Sequence, residues 1–298
     1  MKRGLVVGAM ALALTLGTAA QAVAQNTTTF GVDAAFNSAY FWRGVTYTNK
    51  PVLQPDVYLT FGSKLSVTGG GWANIELGQY NSTSDISEGG GLYSFYLTEF
   101  DWWGEANYPV GIATLTAGAT GYIFPNGAGY TPASNTVEIY GKVALGTTLS
   151  PKAAVWYDVD KIKGAYFEFS VAQPIKLSPG LSLSLAALMG LSAGQGCDPL
   201  AAPPTDTGAC TVSGNFYDNG VTHFDISAAL PFTAGPISIN PNVHGIIGVD
   251  DYTTITSNNP SNTPPYWWYQ GVNTHDFKVE FGVTLSWSKA FGGAKSAE

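Results

Sequence analysis

Three histidines, His223, His244 and His275, are the only imidazoles in the chain, and one of them shares a strand parity with a carboxylate. His223 and Asp225 stand two residues apart, so in an extended segment both side chains point the same way. An imidazole oriented by a carboxylate is the base half of a hydrolytic site, and serines are plentiful. The other half has no signature here: the sequence contains no G-x-S-x-G elbow, P-loop, dinucleotide fingerprint or H-E-x-x-H motif. A His/Asp pair also arises readily by chance among polar residues of one parity. His275-Asp276 lies at a loop–strand junction and is weaker. The expectation is no enzyme, no cofactor and no metal, with a hydrolase as the minor alternative.

Two further constellations could bind rather than react. Pro264-Pro265-Tyr266-Trp267-Trp268-Tyr269-Gln270-Gly271 sets four aromatics in a row, able to stack on a sugar ring or another flat ligand, or to fold inward as a lid. Asp250-Asp251, and Asp85 with Glu88, offer oxygen ligands for a loose cation without the spacing of a calcium loop. Cys197 and Cys210 lie close together in a Pro/Gly-rich segment. In an exported chain they are expected to form a disulfide, contributing about 3 kcal/mol in the chain-entropy model.

Export is read from the first residues. Lys2 and Arg3 precede an apolar stretch from Leu5 to Leu16, too short to span a bilayer, and Ala22-Val23-Ala24 is a small-residue cleavage site. Residues 1–24 read as a signal peptide and residues 25–298 as one domain. Composition bounds that domain. Only 11% of residues are charged while 45% are hydrophobic, and the formal net charge is −8. Average chains are about 25% charged. No basic stripe exists to neutralise phosphates, so nucleic acid is not an expected partner.

The elements that position these residues follow from alternation. In Lys278-Val279-Glu280-Phe281-Gly282-Val283-Thr284-Leu285-Ser286-Trp287, one parity is apolar and the other polar or small. Such runs recur at 30–42, 56–62, 64–77, 92–107, 111–123, 136–146, 153–159, 165–173, 181–191, 221–230, 237–248 and 276–287. The connections alternate between short Gly/Pro turns and long loops at 43–55, 78–91, 124–135, 192–220 and 249–275, and only Asp160 to Gly164 breaks that rhythm. Twelve strands with this rhythm predict an all-β, up-and-down antiparallel transmembrane barrel with short periplasmic turns and long extracellular loops. A soluble secreted β-protein is the rival. Leu181, Leu183, Leu185, Ala187 and Met189 recur every second residue, which a helix would not produce. Phe30, Tyr40, Phe61, Tyr108, Phe124, Tyr157, Phe232 and Trp287 fall near strand ends, where a headgroup girdle belongs.

The polar parity then lines a lumen. It places Asp33, Asp56, Glu76, Glu99, Asp101, Glu105, Glu138, Asp158, Glu168, Asp225 and Glu280 inward, against Arg43, Lys142 and Lys278, with His223 and His244. Eleven carboxylates against three permanent cations favour cations over anions. Arg43 is expected to end strand one and to meet a carboxylate such as Glu280 across the closing seam. Tyr58, Trp72, Trp103 and Trp156 also point inward and narrow the bore, so an open channel and a closed interior are both admissible.

Ser38-Ala39-Tyr40-Phe41-Trp42-Arg43-Gly44-Val45-Thr46, followed by Pro51-Val52-Leu53-Gln54, resembles the opening of the TorF family of porin-like proteobacterial outer-membrane barrels, a family of unknown function. Glu99-Phe100-Asp101, Tyr122-Ile123-Phe124-Pro125 and Asn135-Thr136-Val137-Glu138-Ile139-Tyr140 are similar to its next landmarks at similar spacing. The resemblance covers roughly residues 30–146. It implies an outer-membrane barrel with a channel role, and it supplies no catalytic residues. With the acidic lumen, the expectation is a channel in a Gram-negative outer membrane for passive diffusion of small polar, cationic solutes. A non-conducting barrel whose loops bind a ligand or surface partner is the alternative. Glu280 to Trp287 looks like the last-strand signal read by the barrel assembly machinery. Expected partners are that machinery, outer-membrane lipid and an unnamed small solute.

Overall fold

The computed structural model describes residues 27–80, 85–88, 95–125, 135–195, 215–216, 219–249 and 277–292. Every regular element among them is a strand: β1 (Thr28–Asn37), β2 (Tyr40–Trp42), β3 (Val45–Thr48), β4 (Val52–Gly62), β5 (Ser66–Glu76), β6 (Tyr96–Val110), β7 (Ala113–Ile123), β8 (Thr136–Leu145), β9 (Lys152–Asp158), β10 (Ala165–Ser178), β11 (Leu181–Ala193), β12 (Gly220–Ala229), β13 (Phe232–Ala234), β14 (Ile237–Gly248) and β15 (Phe277–Phe291). The signal segment, Cys197 and Cys210, and the aromatic run Tyr266, Trp267, Trp268 and Tyr269 lie outside the described residues.

Twelve of these strands form a closed antiparallel ring. Each pairs with its neighbours in chain order, β12 pairs with β14, and β1 pairs with β15 over the whole span from Thr28↔Phe291 to Asn37↔Gly282. Three strands stand outside the ring. β13 extends the β12–β14 turn, and β2–β3 is a separate hairpin.

Alternation decides the two faces. Val57, Leu59 and Phe61 of β4, Phe169 and Val171 of β10, and Val279, Phe281 and Leu285 of β15 are exposed on the outer face. Their sequence neighbours Asp56, Tyr58, Glu168, Ser170 and Glu280 turn inward. An exposed apolar sheath around a ring without edges is the surface of a barrel that sits in lipid, where an unpaired backbone group has no water to bond. Phe61, Tyr108, Tyr157, Phe232 and Trp287 are exposed near strand ends, and Phe30 meets Trp287 edge to face at 6.1 Å.

Three sequence expectations are corrected. The first strand ends at Asn37, not at 42, and the chain from Ser38 onward leaves the wall. Tyr40 therefore sits inside rather than in the girdle. Prolines placed in connections by the sequence, Pro55 in the loop 43–55 and Pro109 and Pro174 in short turns, lie inside strands: Pro55 faces Ala34, Pro109 faces Thr114 and Pro174 faces Ser184, each in unbroken register. One missing N–H removes one ladder bond, which the flanking pairs of a long strand absorb. β6 and β12 also carry one-residue register shifts, at Thr98 and Thr222. A bulge turns two consecutive side chains to one face. Thr98 with Glu99, and Thr222 with His223, are thus buried together.

The short outer connection 159–164 has its own cause. Asp158 Oδ1 accepts N–H bonds from Asp160, Lys161 and Ile162, and Oδ2 accepts from Thr136 Oγ1 at 2.6 Å. A carboxylate that caps its own turn needs no long loop. Asp158 faces inward, as its parity requires, and is spent on that turn.

The outer sheath yields a direct test. Val171, midway along β10, is 39% exposed. Val171→Arg is expected to cost about 2–4 kcal/mol in urea unfolding from lipid vesicles. On a water-facing sheet the same change would cost within about 0.5 kcal/mol.

Candidate functional site

The segment 38–51 carries the β2–β3 hairpin across the bore. Its root is tied to the wall where Ser38 N–H donates to Phe281 O at 2.8 Å. The hairpin reaches three strands of the ring and the segment after β5. Tyr40 Oη donates to Glu99 of β6 at 3.0 Å, and Arg43 Nη1 and Nη2 donate to the two oxygens of Glu138 on β8 at 2.8 and 2.6 Å. Lys278 Nζ of β15 donates to Gly44 O at 2.8 Å, and Thr48 shares a hydrogen bond with Tyr80 at 2.7 Å. Arg43 therefore pairs with Glu138 and not with Glu280. The hairpin tip does meet the closing strand, at Lys278, two residues before Glu280, while the Arg43 side chain turns away to β8.

Local chemistry makes the tip. Arg43 and Gly44 both hold positive φ, at 50° and 83°. A side chain on Gly44 would run into His223, which closes that position to any other residue. Trp42 stacks on Tyr47 across the hairpin, with centroids 5.7 Å apart and planes 21° apart. Val45 packs into a buried cluster with Tyr166 and Phe216.

The Arg43 guanidinium sits in an aromatic box. Its Cζ lies 4.2 Å from the Tyr166 ring, 4.3 Å from Trp42 and 5.3 Å from Trp156. The Arg43 side chain is 6% exposed and that of Glu138 is 1% exposed. A buried bidentate pair recovers its desolvation cost only with this geometry and with its remaining lone pairs satisfied. Tyr122 Oη and Gln195 Nε2 supply the further bonds to Glu138, at 2.9 and 3.2 Å.

Beside the hairpin lies a second polar layer. Glu76, Glu88 and Glu99 are each 1% exposed and Asp101 is 8% exposed. Asn74 Nδ2 donates to Glu88 and to Thr98, Thr98 Oγ1 donates to Glu88 at 2.6 Å, and Ser87 Oγ donates to Glu76 at 2.6 Å. Asp85 pairs with Lys50 at 2.9 Å, an ammonium of the chain itself, while Glu88 accepts from Asn74 and Thr98. Thr98, Asn74 and Gln195 were invisible to the sequence reading: two depend on a bulge or a register, and Gln195 lies beyond its strand.

Below the hairpin, toward the short turns, the inward groups are only half-buried. Asp33, Asp56, Glu105, Glu168, Asp225 and Glu280 line this part with Lys142 and His244. Lys142 pairs with Glu105 at 3.1 Å, and Trp103 Nε1 donates to Asp56 at 3.2 Å. Asp225 lies 2.8 Å from His244 Nδ1. His223 is not its partner. That ring is buried, shares a hydrogen bond with Thr222 at 3.0 Å and packs on the hairpin tip. The bulge at Thr222 gives His223 a nearer hydroxyl, and register sets His244 two pairs along from Asp225 on the next strand.

Two tests follow from this geometry. Arg43→Met and Glu138→Gln should each lose about 3–5 kcal/mol in urea unfolding. The double variant should lose less than their sum by up to about 3 kcal/mol, because the second change no longer strands a buried charge. Glu88, in the segment 85–88 outside the strands, is pushed up to about 7 from 4.5, chiefly by burial and also by the charge of Glu76, against the bonds from Thr98 and Asn74. A carboxyl raised in the fold holds its segment best when protonated. Hydrogen-exchange protection of 85–88 should be full below about pH 4.5 and decline as pH passes through about 7. Glu88→Gln should flatten that decline.

No family model matches the chain, and no curated protein matches it. Solved structures overlap it loosely. An outer membrane channel from Pseudomonas putida F1 does so at 8% identity and a TM-score of 0.45, over 89% of this chain and 96% of that one. The NanC porin does so at 7% identity and 0.43, over 87% and 98%. LpxR from Salmonella typhimurium does so at 7% identity and 0.45, over 87% and 99%.

Proposed function

We propose that this barrel is an outer-membrane channel for passive diffusion of small polar solutes, preferring cations, with the β2–β3 hairpin as its constriction. The reading rests on one observation: the inward parity of the ring is acidic along its length, with Glu76, Glu99, Asp101 and Glu138 around the hairpin and Asp33, Asp56, Glu105, Glu168, Asp225 and Glu280 below it. Of the permanent cations near the constriction, Arg43 is paired with Glu138 and Lys278 faces the hairpin backbone. Half-buried acids near low-dielectric walls focus a negative potential along the bore. The likeness of the opening block to TorF-family barrels accords with an outer-membrane place.

A second reading has its own observation. The hairpin is held from β6, β8 and β15 at once, as a permanent brace would be, and the barrel would then present its outer loops to a ligand or surface partner without conducting. We favour the channel because the half-buried acids below the hairpin are more numerous than bracing requires. A hydrolase is the third reading, and its pair would be Asp225 with His244; ester turnover by purified protein that vanished in His244→Ala would establish it.

Planar bilayers decide between the first two. In a salt gradient the reversal potential should take the sign of cation selectivity, and the double variant Asp33→Asn with Asp56→Asn should move it toward zero. Anion selectivity, or no conductance from correctly folded protein, would overturn the channel.

A further inference from the structure

The Arg43 site divides cleanly into a part on the wall and a part on the hairpin. Glu138, Tyr122, Trp156 and Tyr166 stand on four consecutive strands, β8, β7, β9 and β10. Arg43 and Trp42 come from the hairpin. The wall part is organised without its occupant. Tyr122 Oη and Gln195 Nε2 fix the Glu138 carboxylate, and Gln195 is itself tied to Gly164 O at 3.1 Å. Phe216 backs Tyr166 in a stack with centroids 5.6 Å apart and planes 16° apart, and Trp156 lies against Tyr166 at 5.8 Å. A two-oxygen acceptor held in place, with two wall rings 4.2 and 5.3 Å from the carbon of the cation it binds, is matched to a planar, forked, delocalised cation. An ammonium offers no such fork.

The occupant is placed against the ordinary preference of its backbone. A two-residue turn with positive φ at both positions favours Asn-Gly or Asp-Gly, and here it is Arg43-Gly44. A long branched cation in the left-handed region is a strained choice for a turn and the right choice for filling this box.

We propose that Glu138, Tyr122, Trp156 and Tyr166 form a wall-borne receptor for a guanidinium-bearing solute, and that Arg43 is its built-in competitor. A solute carrying that group displaces Arg43 when the hairpin swings out and takes the same two oxygens and ring faces. How such a solute arrives depends on the channel reading above; whether it binds does not. An occupant on a short tether acts at an effective concentration of about millimolar or more, so the native chain masks the receptor and removal of Arg43 uncovers it.

The test uses full-length protein folded in detergent micelles, with tryptophan fluorescence read during titration by methylguanidinium and, separately, methylammonium. Arg43→Ala should bind methylguanidinium at least tenfold more tightly than the native chain does, and at least tenfold more tightly than it binds methylammonium. Adding Glu138→Gln should abolish that preference. Equal response of the native chain and Arg43→Ala, equal response to the two cations, or a response that survives Glu138→Gln would overturn the proposal. If heat-modifiable gel migration shows that Arg43→Ala has not folded, Arg43→Gln carries the same comparison. In bilayers, methylguanidinium should block current through Arg43→Ala more than methylammonium does. Binding without conductance in any variant overturns the channel and leaves the receptor. Conductance without guanidinium-selective binding does the reverse.

Discussion

A sheet in hydrocarbon cannot keep an edge, and the pairing of β1 with β15 over their shared length removes the last one. Everything else in the molecule follows from that closure. Once the ring is complete each strand has only an inside and an outside, so a period of two sorts the chain into lipid-facing and lumen-facing residues. A ring of twelve encloses a space wider than a filled eight-strand barrel and narrower than a sixteen-strand pore. The polar groups turned into that space must find partners in one another, in water, or in a segment of chain sent in to meet them.

The β2–β3 hairpin is that segment, and it splits the interior in two. Around it, acids are buried and engaged: Glu138 by Arg43, Glu99 by Tyr40, Glu88 by Asn74 and Thr98. Below it, Asp33, Asp56, Glu105 and Asp225 remain half-buried, with Lys142 and His244 as their nearby bases. One end of the barrel thus meets most of its acids with side chains of the hairpin and the wall, although Asp101 Oδ1 and one oxygen each of Glu88 and Glu99 accept no bond there, while the other keeps a field that water and small ions can sense.

Much of this was legible in the chain. Alternation assigned Tyr58, Trp72, Trp103 and Trp156 to the lumen and Val279, Phe281 and Leu285 to the sheath, because in a regular strand of a barrel the face is a matter of parity. The departures have specific causes. Residues 38–42 continue the alternation of β1, so periodicity could not show that the chain turns inward there, and the Arg43-Gly44 turn was the only local sign. The partner of Arg43 lies 95 residues away, a distance set by ring order that no motif encodes. Pro109 and Pro174 sit in strands because long ladders tolerate a missing bond. Thr98 and Thr222 joined the interior through bulges, which a strict two-residue period does not anticipate.

The bond from Lys278 to the tip of the hairpin reaches beyond the finished structure. Lys278 stands near the start of the strand that closes the seam, and Gly44 is the innermost point of the segment that follows the first strand. Zipping the last strand with the hairpin left outside would bury that ammonium without its carbonyl and leave the Gly44 niche beside His223 empty. The sealed cylinder is therefore more stable with its stopper seated than without it, and the two hold each other in place.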